Sequence, residues 1–204
     1  MKQLSKLVWS TAAALALVVA MGTTSPAAAQ GITGFGAKGG VNFATLSIDP
    51  ADPTCCATKT GLAVGGFVEI GVNDMIAIQP EVLYSMKGAK SSSGTEYTFK
   101  VNTVEIPVLV KANIMTSGQM KPFVVVGPAF SFRVGDAKVE QGGTDFVVTT
   151  AESNDFSVIF GGGVKVNNIT IEARYDLGLK DVDTTTDTIK NRAFTILVGF
   201  GMSR

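Results

Sequence analysis

The stretch Ile169-Thr170-Ile171-Glu172-Ala173-Arg174-Tyr175-Asp176-Leu177-Gly178-Leu179 alternates without a break. Ile169, Ile171, Ala173, Tyr175, Leu177 and Leu179 fall on one side of an extended chain; Thr170, Glu172, Arg174, Asp176 and Gly178 fall on the other. Successive side chains of a strand point to opposite faces, so this period of two marks a strand with one apolar and one charged face. A second stretch repeats the pattern, with Ile76, Ile78, Pro80, Val82, Tyr84 and Met86 set against Ala77, Gln79, Glu81, Leu83, Ser85 and Lys87. Helical spacing is nearly absent elsewhere. Glycine, 23 of the 204 residues, recurs inside apolar runs where each would cost a helix about 1 kcal/mol. The chain reads as all-β.

Extending the alternation outward gives eight strands, at roughly 32–46, 60–72, 75–88, 96–114, 121–135, 153–166, 169–180 and 191–202. Asn73-Asp74 and Asn167-Asn168 read as two-residue hairpin turns, because Asn and Asp tolerate the positive φ such turns demand. A modest turn surrounds Ser117-Gly118. The other four connections, about 47–59, 89–95, 136–152 and 181–190, are longer and polar. Short and long connections in alternation, with an even strand number, are the layout of an antiparallel up-and-down transmembrane barrel. Pro80, Pro107 and Pro128 fit less well, since each falls inside a strand and removes a ladder donor; bulges or strand ends near the rim would accommodate them.

The charges decide which face meets water. With the more apolar face of each strand set outward, the charges left inside are Lys38, Glu69, Glu81, Lys87, Glu105, Lys111, Arg133, Lys165, Glu172, Arg174 and Asp176. The set is close to balanced. An eight-stranded barrel is just wide enough to be filled by its side chains, and charges held there must pair, since an isolated buried one costs several kcal/mol. A soluble, lipocalin-like carrier would need the reverse, an apolar pocket inside a charged exterior.

The first residues are read as an address. Lys2 and Lys6 precede an apolar run from Leu7 to Met21, then Gly22, Ser25, Pro26 and Ala27-Ala28-Ala29. That order is the layout of a signal peptide, with cleavage expected after Ala29 and residues 30–204 forming the barrel domain. The apolar run is short for a transmembrane helix, which needs about 20 residues. The expected route is the Sec pathway, with both barrel termini periplasmic. Of 17 basic and 17 acidic residues, two lysines leave with this segment, so the remainder carries −2 and nothing to attract nucleic acid.

Several motifs bear on chemistry. Gly34-Phe35-Gly36-Ala37-Lys38-Gly39 fits G-x-G-x-x-G, but a dinucleotide loop needs a strand before it and a helix after it, and neither is expected here. Cys55 and Cys56, the only cysteines, are adjacent; a strained vicinal bridge and a free or intermolecular pair remain equal readings. Asp181, Asp183 and Asp187 offer oxygen ligands without an EF-hand spacing, and read as a solvated loop. Asn168-Ile169-Thr170 is a formal glycosylation triplet, with Asn168 better used in the turn. Glu172, Arg174 and Asp176 with Glu81 and Glu105 could be drawn as paired catalytic carboxylates, but a barrel-filling ion network explains them more simply. The chain has no histidine, which removes Ser-His and Asp-His chemistry. No enzyme activity, cofactor or metal is expected.

In order along the chain, Gly36-Ala37-Lys38-Gly39-Gly40-Val41-Asn42, Ile78-Gln79-Pro80-Glu81-Val82-Leu83-Tyr84-Ser85-Met86-Lys87-Gly88, Val104-Glu105-Ile106-Pro107-Val108-Leu109-Val110-Lys111, Gly127-Pro128 and Arg174-Tyr175-Asp176-Leu177-Gly178-Leu179 resemble landmarks of the PorT-like outer-membrane β-barrel proteins. The resemblance spans nearly all of the chain after residue 29 and implies that the strand prolines are family features. Two departures stand out. Thr103-Val104 replaces an aromatic before Glu-Ile-Pro, and the chain ends Phe200-Gly201-Met202-Ser203-Arg204 without a terminal aromatic. The resemblance implies a fold and a location, and no single activity.

The leading expectation is therefore a non-enzymatic outer-membrane barrel with a plugged polar interior, acting structurally or through its loops at 47–59 and 136–152. Its partners would be outer-membrane lipid, the machinery that assembles such barrels, and an extracellular partner met through the loops. A narrow passive pore and a soluble periplasmic carrier are the alternatives.

Overall fold

The computed structural model describes residues 31–49, 57–90, 97–141, 144–148, 154–179, 182–184 and 187–203. Residues 1–29 and Cys55, Cys56 and Asp181 lie outside them, and so do the readings made on them. Among the described residues every regular element is a strand: β1 (Ile32–Asp49), β2 (Ala57–Gly71), β3 (Ile76–Lys90), β4 (Tyr97–Asn113), β5 (Met120–Arg133), β6 (Ala137–Gln141), β7 (Thr144–Val148), β8 (Asn154–Val166), β9 (Ile169–Gly178), β10 (Val182–Thr184) and β11 (Asp187–Ser203).

Eight of the eleven close a barrel. The sheet runs β3-β2-β1-β11-β9-β8-β5-β4, all antiparallel, and β3 pairing with β4 shuts it. Closure leaves no edge in the barrel wall, which is how a sheet satisfies its backbone groups where water is absent. Gly34 pairs with Ser203 across β1 and β11, so the first and last strands meet at the end that also holds the three short turns.

The eight strands are the expected ones, with ends shifted by a few residues. The unexpected strands lie beyond the end of the barrel opposite the short turns. β6 and β7 form a hairpin inside the stretch expected to be a loop at 136–152, and β10 pairs with β11 inside the one expected at 181–190. A transmembrane strand needs about 9–11 residues, whereas β1 has 18 and β4 has 17. The surplus continues the sheet past the wall as a crown. There the apolar contrast between faces is lost, and with it the alternation that reveals a strand.

Turn chemistry explains the other end. Asn167, with φ 53°, is left-handed and makes the tight β8–β9 turn with Asn168. Asn73-Asp74 is not a two-residue turn. The chain bends over Val72–Met75, and Asn73 Oδ1 accepts from the Met75 and Ile76 amides at 2.9 and 2.7 Å. The side chain itself organises the loop, as asparagine can, so no positive φ is required. Between β4 and β5 the Thr116 hydroxyl donates to the Met120 carbonyl at 2.6 Å.

The prolines are accommodated without bulges. Pairing between β4 and β5 stops after Pro107–Ala129 and resumes at Val110–Val126, and Pro128 falls in the gap. Between β2 and β3 it skips from Phe67–Glu81 to Ile70–Ile78, past Pro80. In each case both strands advance by the same number of residues, so the register survives and each side chain keeps its face.

The wall curves tightly enough to exclude side chains at some inward positions. A Cβ on Gly40 would run into the Ile196 carbonyl oxygen of β11, and one on Gly163 into that of Ile171 on β9. Only glycine permits such close strand approach. Glycine in the Gly34–Gly39 run thus serves strand β1, and no helix follows it.

Candidate functional site

The barrel interior is where the sequence gathers its charges. Strand alternation aims Lys38 of β1, Glu81 and Lys87 of β3, Glu105 and Lys111 of β4, and Glu172, Arg174 and Asp176 of β9 inward, and all eight are buried. Glu69, Arg133 and Lys165 share the interior but are only half-buried, because they sit toward the two mouths.

The charges form three tiers. Nearest the short turns, Lys111 Nζ lies 2.8 Å from Glu69 Oε2 and stands over the Phe123 ring at 4.5 Å, with Lys165 beside them. In the middle, Lys38 Nζ bridges Glu81 at 2.9 Å and Glu172 at 3.0 Å. Arg174 donates both terminal nitrogens to Glu81, at 2.7 and 2.6 Å, and its Nε to Glu172. Toward the crown, Lys87 Nζ lies 2.8 Å from both Glu105 and Asp176. Arg133 is the outermost, and its Nη1 is buried without a hydrogen-bond partner among the described residues.

The middle tier holds two cations and two carboxylates and is neutral. Its Arg–carboxylate fork is the strong, geometrically specific kind of charged hydrogen bond. Each member is also satisfied more than once, as a buried charge must be if the pairing is to offset desolvation.

Sequence reasoning missed the neutral polar members. Gln79 donates to Glu81, and Asn42 donates to Ser85 at 2.8 Å; both are buried, with Ser131 and Ser157. Asp155 was also missed, although its register partner is the buried Ser131. The signal was available, since each lies at an inward position of its strand; the uncharged ones do not reveal which solvent they face, whereas Asp155 shares its face of the strand with Lys165 and could have been read from it. An apolar patch of Leu109, Phe123, Val125, Ala129 and Ile159 fills the inner wall of β4, β5 and β8.

Together these side chains leave little space. The cavity between the lower and middle tiers, lined by Lys38, Phe67, Glu69, Lys111 and Glu172 among others, has a volume of about 10 Å³, about enough for one water. The outer wall is the opposite in character. Leu62, Val64, Val82, Val124, Val126, Ile171, Val198 and Phe200 all stand exposed on it, a continuous apolar surface far larger than soluble monomers carry. A charged exterior, which a soluble carrier needs, is absent from the described wall.

A closed antiparallel barrel with lipid-type side chains outside and a polar, filled interior defines a transmembrane β-barrel of the outer-membrane kind. The chain belongs to the outer membrane protein beta-barrel domain family, whose model matches residues 28–184, and its location is accordingly the outer membrane. Among solved structures it is similar to Neisserial surface protein A, with 16% identity over 81% of this chain and 96% of that one and a TM-score of 0.50. OprG of Pseudomonas aeruginosa aligns at 9% identity over 85% and 97%, with a TM-score of 0.49. Ail, the attachment invasion locus protein of Yersinia pestis, aligns at 14% over 84% and 100%, with a TM-score of 0.46. At such identities the likeness is one of fold alone. No curated protein matches the chain by sequence.

Proposed function

We propose that this protein is a non-enzymatic, plugged outer-membrane barrel that stabilises the envelope and meets an external partner through its crown. The observation that carries the reading is the three-tier ion network, which spans the interior and leaves a cavity of about 10 Å³ between its lower and middle tiers, where a pore would need a continuous wet path. The complete lack of histidine supports the non-enzymatic part, since no imidazole is present to serve as a base. Under this reading residues 1–29 direct Sec export and are removed after Ala29, the assembly machinery inserts the barrel, and the end bearing the short turns and both strand termini is periplasmic. The ordered motifs around Lys38, Glu81, Glu105 and Arg174 support placing the chain with the PorT-like group.

Single-channel recording on refolded protein in planar bilayers tests the plug. Traces without steady openings are expected. Resolved openings of constant amplitude would overturn the plugged barrel and install a narrow passive pore in its place.

A further inference from the structure

At the turn end the outer wall carries a groove of about 310 Å³, floored by Val164, Val166, Ile169, Ile171 and Phe200 and closed by the Asn167-Asn168 turn. Register explains its make-up. Val166 faces Ile169 and Val164 faces Ile171 across β8 and β9, while Phe200 of β11 faces Ile169 from the other side. Directly opposed residues share a face. These five therefore stand together on the outside, and Lys165 and Thr170 between them turn to the lumen, where they line its cavity. Ile169, Ile171 and Phe200 are each more than half exposed.

The groove continues upward as a track. The next outward pair on the β8–β9 ladder is Gly162 and Ala173, which raise almost nothing from the wall. After it come Phe160 and Tyr175, whose rings meet at 5.4 Å. Ile169 to Tyr175 makes about six steps of about 3.3 Å, or about 20 Å along the strand. Barrel strands tilt by about 35–45°, so the track climbs about 15 Å, half of a hydrocarbon core about 30 Å thick. It thus has an uncharged polar end, at two asparagines, and an apolar floor one leaflet long. An apolar cavity of about 150 Å³ accepts a benzene ring, so the groove takes a chain segment of about twice that bulk.

We infer that the groove is a binding site for one acyl chain of a phospholipid, its head against Asn167 and Asn168 and its tail running up β8 and β9 toward Tyr175. Continuity with the apolar belt supplies the occupant: Val198 faces Ile171 and Val124 faces Gly162, so the track opens directly into the lipid-facing wall. A second copy of the chain is a poor occupant, because a stable protein interface takes about 20–30 residues a side and this groove is lined by seven. Asparagine amides donate to ester or phosphate oxygens without selecting a headgroup by charge. Phe200 also pairs with Ala37 of β1, so the bound chain lies against the strand that closes the barrel. The inference rests on the outer wall facing lipid and is independent of the plug.

The test uses the full barrel refolded into palmitoyl-oleoyl phosphatidylcholine liposomes, checked by its heat-shifted band on gels. The probe is the same lipid with a photoactivatable diazirine near either the carbonyl or the methyl end of one chain, its cross-links mapped by mass spectrometry. Labelling along β8 and β9 several-fold above the wall at Leu62, Val64 and Val82 is expected. The carbonyl-end probe should mark Val166 to Ile169, and the methyl-end probe Ala173 to Tyr175. Val164→Phe, which fills the groove, should lower this labelling to the level of the rest of the wall with the heat shift intact, whereas Val64→Phe should leave it unchanged. Even labelling around the wall, the same positions marked by both probes, or full labelling of Val164→Phe would reduce the groove to ordinary bilayer contact and overturn the inference. Barrel dimers that shut the probe out of the groove would give the site to a second copy and overturn it as well. Absence of label from every part of the wall would strike the lipid-facing reading itself, and the inference with it.

Discussion

Arg174 of β9 and Glu81 of β3 face each other across the barrel lumen and lock in a two-pronged ion pair, at 2.6 and 2.7 Å, with side chains only 3% and 0% exposed. Ninety-three residues separate them in sequence, and they tie together walls that share no backbone hydrogen bonds. Removing one partner strands the other's charge in the lumen, which typically costs about 3–5 kcal/mol. Glu81→Leu and Arg174→Met should each lower sharply the temperature at which the folded gel band converts to the unfolded one. The double variant Glu81→Leu/Arg174→Met should lose less than the two single losses combined, because no orphan charge remains. Strict additivity in that cycle would mean the pair does not couple.

Position 40 separates wall curvature from composition. Gly40→Ala drives a Cβ into the Ile196 carbonyl, whereas Gly39→Ala, one residue away on the outer face, meets its nearest atom at an ordinary 3.6 Å. In parallel refolding assays, Gly40→Ala should yield little heat-modifiable barrel and Gly39→Ala a near-normal amount. Equal yields would show that β1 and β11 can separate at no cost.

The lipid-facing wall should reject charge according to depth. Val198 of β11 lies in the apolar band, 54% exposed. Val198→Lys there should destabilise the barrel in lipid by about 2–4 kcal/mol if it lies near the midplane, against at most about 1 kcal/mol near an interface. Asn102→Lys, at an outward position close to the crown, provides the interface comparison. Denaturant titration in liposomes measures both. Two equally mild effects would contradict a membrane belt at this level.

Asn167 holds a left-handed conformation at φ 53°, which costs an ordinary side chain about 1–2 kcal/mol. Asn167→Ala should therefore weaken the β8–β9 hairpin by about that amount, and Asn167→Gly should be tolerated. Folding kinetics and denaturant midpoints of the two variants give the comparison, and an unaffected alanine variant would remove the turn from the determinants of stability.

Reading the sequence succeeded where solvent imposes contrast. Within the wall, Ile169 through Leu179 must show lipid one face and the filled lumen the other, so residue type alone reports direction. Asn42, Gln79 and Ser85 also point inward, but their uncharged side chains demand it less strongly than the guanidinium of Arg174 does. β6, β7 and β10 escaped because they are short, of five, five and three residues, and so too brief for a period of two to stand out. The β2–β3 connection was misjudged for a related reason: Asn73 can turn the chain through its backbone or its side chain, and identity does not distinguish the two.

Period-two alternation by itself determined the number of strands in the barrel wall, the faces of their charged residues and the solvent outside, since burial on one face constrains every second position whatever the neighbours are. Only the tertiary structure decided which charges meet. Lys38 reaches Glu172 over 134 residues of chain, and that choice depends on strand order, register and tilt once the sheet closes. It also decided that above Thr103 the β4 partner switches from β5 to β6. A strand edge is a property of what lies beside a strand, and the linear sequence carries the strand without its neighbour.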